Sequence, residues 1–391
     1  MPVLRFSRIL ALPLLRAGLG LGLCLGLIGW DWAHRSLALP AARATWPLAG
    51  ADFSRPLEKI GQGQIPMPAD TPAAHSSSLL PLPPDDANAL LAFWFAGTKE
   101  SAPDVGIAAS GFDRATQRWH AARFVVRRFR LGQQLGFAVR RLGNPVAWLD
   151  AQGRVQLFVV ATGLGGWAAS RIVQLRQTQA HQAVDALEFD VVRVLPLSWW
   201  FNTSTLVRTA PMALQDGGMV LPVYFELGIK YPVALRFDRQ GAFAGMARMS
   251  TRTHVLQPTL LAQDSSDWLA LMRDQRDNGR ITVVQTGDGG AHWQDQRDLD
   301  LINFNSSVAA LALAPGQYWL AHNSSAPSRN VLDLSHSSDG RHWTRVQSLA
   351  QGSGSDEYSY PALAWADASL WVSYTDQRRR ISWQRFAVPR Q

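Results

Sequence analysis

One unit recurs along this chain: an alternating apolar run, a small polar turn, and a second apolar run. It can be read six times, over 77–95, 145–160, 211–226, 258–273, 308–323 and 361–375. Alternation places successive side chains on opposite faces of a strand, and the turns are rich in Gly, Asp, Asn and Ser. Each unit is therefore expected to be a β-hairpin. The turns fall near residues 86, 152, 217, 266, 316 and 368, a spacing of 49 to 66 residues. A lone hairpin cannot bury both faces, whereas sheets packed radially cover one another and leave only short edges. The expectation is an all-β, six-bladed β-propeller over 75–391.

A second repeat supports that arrangement. Thr286-Gly-Asp-Gly-Gly-Ala-His-Trp293 has a close relative in Ser337-Ser-Asp-Gly-Arg-His-Trp343. Both follow what reads as the third strand of a blade. There the Asp can accept from turn amides, while the Trp packs between neighbouring sheets. The stretch 110–119, SGFDRATQRW, is a stretched and degenerate version. With 16 Trp and 31 Gly, the composition suits turn-rich β structure.

The N-terminus reads differently. Arg5, Arg8 and Arg16 precede the uncharged apolar run 17–30. Fourteen helical residues rise about 21 Å, short of the roughly 30 Å hydrocarbon thickness; extension back to Ile9 spans it but includes Arg16. Residues 1–35 are thus expected to be a hydrophobic helix, either a signal peptide cut near Ser36-Leu37-Ala38 or a membrane anchor. A basic flank stays cytoplasmic, so the rest should be exported, to the periplasm or beyond the cell. Residues 36–74, rich in Ala and Pro, are expected to be a linker or a strap over the domain. Cys24 is the only cysteine, so no internal disulfide is possible.

The net charge of +8 comes almost wholly from Arg. Those residues are scattered apart from 123–130 and 378–380, so no phosphate-tracking stripe is evident and no nucleic-acid partner is expected. No metal-ligand spacing, phosphate loop or G-x-S-x-G elbow occurs, so no cofactor or metal is expected.

TGDGGAHW matches the Asp-box of sialidases and related BNR-repeat proteins at every fixed position; SSDGRHW is one residue shorter. HSSSLLPL, FWFAGTKESAPDVGIAAS, GNPVAW, VLPVYFE, QPTLLA, ALMRD, SRNVLDL and YSYPALAW follow in the order of the sialidase-like BNR family. The chain resembles that family from His75 to its end. The resemblance implies a glycoside hydrolase acting on an acidic sugar, with three arginines on the substrate carboxylate and a Tyr nucleophile paired with a Glu base. On that basis Arg273 and Arg329 match the second and third arginines, Tyr360 the nucleophile, and Asp104 the acid/base.

Two positions depart. His75 stands where the first arginine belongs, and Gln257 where the Glu belongs. A neutral amide cannot take a phenol proton, whose ordinary pKa is about 10; Glu226, in VYFELG, is the candidate substitute. The expected partner is an acidic glycan or polysaccharide, with the membrane as a second partner if the N-terminal segment is retained. The alternative is a noncatalytic envelope protein that binds acidic polysaccharide through the same pocket, with His75 and Gln257 as binding residues. Trp94, in FWF, is expected to be core rather than a sugar platform.

Overall fold

A computed structural model describes residues 6–35, 39–47, 57–198, 202–276, 279–326 and 328–387. Six antiparallel sheets of four or five strands follow one another along the chain. Blade I begins with the strand Ala73–Pro81, blade II with Arg141–Leu149, blade IV with Val255–Ala262, blade V with Ala309–Ala314 and blade VI with Tyr358–Ala366. In blade III the inner strand is split into Thr205–Val207 and Met212–Ala213, both paired with Met219–Leu227. Each of the six repeated units supplies the two innermost strands of a blade. The inner strands of neighbouring blades pack side by side, and blade VI returns to blade I. This is a six-bladed β-propeller preceded by an apolar helix.

The ring is closed by residues from the segment expected to be linker or strap. Glu58–Gln64 forms the outer strand of blade VI, antiparallel to Arg380–Ala387. Sequence reading missed it because EKIGQGQ has two glycines and almost no apolar alternation. Its strand character comes from pairing with a finished sheet edge. Residues 39–47 do run as a strap. Ala42 N–H donates to Gly289 O at 3.1 Å, Ala44 N–H to Ser265 O at 2.7 Å, and Trp46 Nε1 to Ala262 O at 3.2 Å. Trp46 helps close an apolar axial cavity of about 300 Å³, lined by the far ends of all six inner strands.

Radial packing sets the core. Where blades VI and I meet, Trp371 is fully buried, with its ring 4.7 Å from Phe112, 5.3 Å from Trp383 and 6.3 Å from Trp119. Trp94 is also fully buried, as core. The Asp-box turns lie at the same end as the strap. Asp288 Oδ1 accepts from His292 N–H at 2.9 Å, and Trp293 Nε1 donates to Gly290 O at 3.1 Å. The shortened copy makes the same bonds through Asp339, His342 and Trp343, at 2.8 and 3.1 Å. In the degenerate copy Asp113 Oδ1 accepts from Thr116 N–H at 2.6 Å. One missing residue therefore leaves the corner intact.

The N-terminal helix Phe6–Arg35 carries a span, Pro13–Trp30, of mean hydropathy 1.5, none of which is buried. It is long and apolar enough to cross a membrane. The expected cleavage site at Ser36-Leu37-Ala38 lies outside the described residues.

Candidate functional site

Every inner strand starts at the end of the axis opposite the strap, and four of them start with the same irregularity. The register slips between His75 and Ser78, Gly143 and Val146, Leu256 and Thr259, and Ser359 and Ala362. At each slip one residue takes a left-handed backbone: Ser76 (φ 58°), Asn144 (φ 39°), Gln257 (φ 53°) and Tyr360 (φ 53°). Three of these precede proline, which normally pushes its predecessor to extended backbone. Non-glycine residues at positive φ persist only where the surroundings hold them, and they concentrate at functional sites. A bulge re-aims a side chain. Here the bulges gather Gln257 and Tyr360 at one end of the axis.

Gln257 Nε2 lies 3.3 Å from Tyr360 Oη and 3.4 Å from Tyr224 Oη. Arg273, at the outgoing end of the second strand of blade IV, donates from Nη1 to Gln257 Oε1 at 3.1 Å and reaches Tyr360 Oη at 3.5 Å. Its Nε donates to Asn305 Oδ1 at 2.7 Å. Arg329 donates to Asn305 O at 2.5 Å and to Glu357 Oε1 at 3.2 Å. Arg378, on the last turn of blade VI, binds Glu357 at 2.7 Å and also pairs with Glu100. His75 is buried, its ring 4.2 Å from that of Tyr360 and 5.4 Å from that of Phe95.

The structure therefore brings together Tyr360, Gln257, Arg273, Arg329 and His75. Glu226 lies at the edge of this group, two residues beyond Tyr224 on one strand face, and its carboxylate sits 3.7 Å from Lys230. Asp104 is not brought in. It is exposed, and its carboxylate is taken by the Thr98 N–H at 2.8 Å and the Thr98 hydroxyl at 2.9 Å. This is a turn-forming role. The loop that carries Asp104 sends Glu100 to the site instead.

Sequence reasoning also missed Arg208, Tyr224, Glu357 and Arg378. Arg208 had a faint signal: a polar residue shortly ahead of a proline at the start of an inner strand, as at Gln257 and Tyr360. Arg378 was visible only as part of a basic run. Glu357 gave none.

Electrostatics separates the groups. Burial, followed by the charge of Arg378, holds His75 well below the usual imidazole range, so it is neutral. Burial pushes Glu357 up, but Arg378, Ser359 and Arg329 outweigh it and bring the carboxyl down to about 2. Burial likewise pushes the Tyr360 phenol up, while Arg273, the Gln257 amide and Arg329 together hold it below the ordinary tyrosine value. The Tyr224 phenol, more deeply buried and beside Tyr360, is pushed far up. Among the described residues, the guanidinium groups of Arg208, Arg273, Arg329 and Arg378 gather around Tyr360, and only Arg329 and Arg378 pair with carboxylates, those of Glu357 and Glu100. An excess of fixed, forked cations suits a planar anion. Among the described residues, no three His, Cys, Asp or Glu side chains gather as a metal site.

A ring of six sheets with an arginine-rich tyrosine site at one end of its axis defines a class of protein, the sialidase-like propellers. Residues 88–372 match the BNR repeat-like domain, and the chain belongs to that family. No curated protein matches it by sequence. Among solved structures, the Hadza microbial sialidase Hz136 superposes with a TM-score of 0.66 at 16% identity, covering 83% of this chain and 68% of that one. A Dyadobacter fermentans protein of unknown function gives 0.65 at 11% identity, with 85% and 99% covered. The Trypanosoma rangeli sialidase gives 0.63 at 12% identity; 86% of this chain is covered and 60% of that protein. At such identities the likeness is one of fold.

Proposed function

We propose that this protein is an exported, sialidase-like glycoside hydrolase that acts on an acidic sugar of a glycan or polysaccharide. One observation carries the reading: Arg273 Nη1 lies 3.5 Å from Tyr360 Oη, with Arg329 and Arg378 ranged beside it. A sugar that bears its carboxylate on the anomeric carbon, seated on Arg273 and Arg329, would bring that carbon toward the phenol oxygen. A phenol is also the apt nucleophile beside a substrate carboxylate, which would repel a second carboxylate. The Asp104 loop delivers Glu100 to the rim, where it pairs with Arg378. The N-terminal helix fits export and membrane retention.

The test is release of an acidic monosaccharide from a panel of sialylated and uronate-containing glycans by the full chain. Tyr360→Phe is expected to lose about 10³-fold in rate or more, a loss typical of removing an activated nucleophile. Arg273→Ala is expected to raise KM strongly. No release from any acidic glycan would end the enzymatic reading. Gln257 favours a second reading, in which the pocket binds acidic polysaccharide without turnover, because the amide replaces a base. Binding that survives Arg273→Ala would remove the arginine site from both readings.

A further inference from the structure

The orientation of one amide decides how Tyr360 can work without a carboxylate beside it. Arginine has donors only, so the Gln257 atom 3.1 Å from Arg273 Nη1 must be the oxygen. The Gln257 nitrogen then faces Tyr360 Oη, and it can only donate. Arg273 Nη1 is a second donor to the same oxygen. Among the described residues, the Tyr360 hydroxyl has no acceptor for its own proton. A neutral phenol gains little from two donors and no acceptor; a phenolate gains from both.

The underside of the ring points the same way. Arg208 rises from blade III and crosses the axis to blades I and VI, donating to Ser77 O at 3.3 Å and to Pro361 O at 2.9 Å. It is fully buried and, among the described residues, pairs with no carboxylate and leaves its Nε without a partner. Its guanidinium carbon lies 5.0 Å from the centre of the Tyr360 ring. Burial lowers Arg208 to about 10, and the groups that offset this are the phenols of Tyr360 and Tyr224. A buried cation without an anion is costly. The anion available to it is the Tyr360 phenolate.

We propose that Tyr360 is a base-free nucleophile, held as a phenolate by a cage that only donates hydrogen bonds, with Arg208 as the positioning cation that replaces a carboxylate base. The other charged groups around it do not undo this. Glu357 is consumed by Arg329, Arg378 and Ser359, Glu100 by Arg378, and Glu226 sits by Lys230. Neutral His75 covers one side of the ring, and Tyr224 stays protonated, so two phenolates never face each other.

The proposal rests on the hydrolase reading for its chemistry. The phenolate lone pair forms the bond to the anomeric carbon as the glycosidic C–O bond breaks. The leaving oxygen takes a proton from a water at the open mouth. The resulting hydroxide displaces tyrosine from the sugar, which restores the phenolate.

Ultraviolet titration of phenolate absorbance in the full chain tests the ionisation without needing turnover. One of the six tyrosines is expected to titrate ahead of the rest, and Tyr360→Phe is expected to remove that step. Arg208→Met is expected to move the step up by about one pH unit or more, and Arg208→Lys, which keeps the charge, by less. Gln257→Glu, nearly isosteric, is expected to move it up as well, because it puts an anion where a donor stood. A step lost in Tyr360→Phe that lies at or above the ordinary tyrosine value would overturn the proposal. So would a Gln257→Glu variant that titrates lower. An early-titrating Tyr360 in a protein that releases no sugar would sink the hydrolase reading alone.

Discussion

Gly289, at the tip of the first Asp-box, has a backbone φ of 70°, and a Cβ built there lies 2.1 Å from Ala42 O and 2.5 Å from Ala42 N. Those are backbone atoms of the strap, not the yielding end of a side chain. Gly289→Ala therefore meets two penalties. A left-handed alanine costs about 1–2 kcal/mol. The strap must also back away, which breaks the Ala42 N–H bond to Gly289 O, a loss of about 1 kcal/mol. The total, about 2–3 kcal/mol, is capped by the stabilisation the strap's docking provides, since release of the strap removes the clash. Gly287 is the control: a Cβ there meets nothing within 4 Å and its φ is ordinary, so Gly287→Ala is expected to be neutral or slightly stabilising. Hydrogen exchange reads the difference. Gly289→Ala is expected to speed exchange at the Ala42 and Ala44 amides by at least 10-fold, roughly 1.4 kcal/mol of lost protection. It is also expected to expose residues 39–47 to protease. Unchanged protection at both amides would refute the idea that the Asp-box tip is a docking point for the strap.

Three further outcomes are expected. Trp371→Ala should lose about 3–5 kcal/mol in denaturant unfolding, because it empties the joint between blades VI and I; a loss under about 1 kcal/mol would show that the joint is not close-packed. Removal of the chain through Gln64 should uncover the edge of Arg380–Ala387 and produce aggregation in light scattering, since an unpaired strand edge is a template for pairing; a monomeric truncated protein would contradict a ring closed by Glu58–Gln64. His322 is buried against Ser335 at 3.0 Å, and burial lowers it to about 4. The unfolded chain binds that proton below about pH 6.5 and the folded one does not until about pH 4, so stability falls as pH drops through this window, by up to about 3 kcal/mol. His322→Gln should flatten that slope, and an unchanged slope would show that His322 takes up its proton while folded.

The blades were legible because their information is local. Alternation, turn residues and the spacing of the hairpins all act within a few residues of one another, and each of the six units became the inner pair of a blade. Glu58–Gln64 was not legible, because its pairing is dictated by a strand more than three hundred residues away rather than by its own side chains. The site divides in the same way. Tyr360, Gln257, Arg273 and Arg329 sit beside bulges or strand ends with recognisable sequence, and the fold collects them. Asp104 and Glu100 share one loop, and no sequence pattern states which carboxylate a four-residue offset turns toward the axis. Arg208 was hidden because its meaning lies in what it lacks, a carboxylate partner, which only a folded ring reveals.

The strap meets the propeller at the end of the axis away from Tyr360, and only three residues separate its first described residue, Leu39, from Arg35 at the end of the apolar helix. Even fully extended, that connection reaches no more than roughly 14 Å. A bilayer holding the helix would thus lie near the strap end of the ring, with the tyrosine and its arginines at the other end. In that arrangement the arginine-lined mouth would stand farther from the leaflet that holds the helix than the strap does.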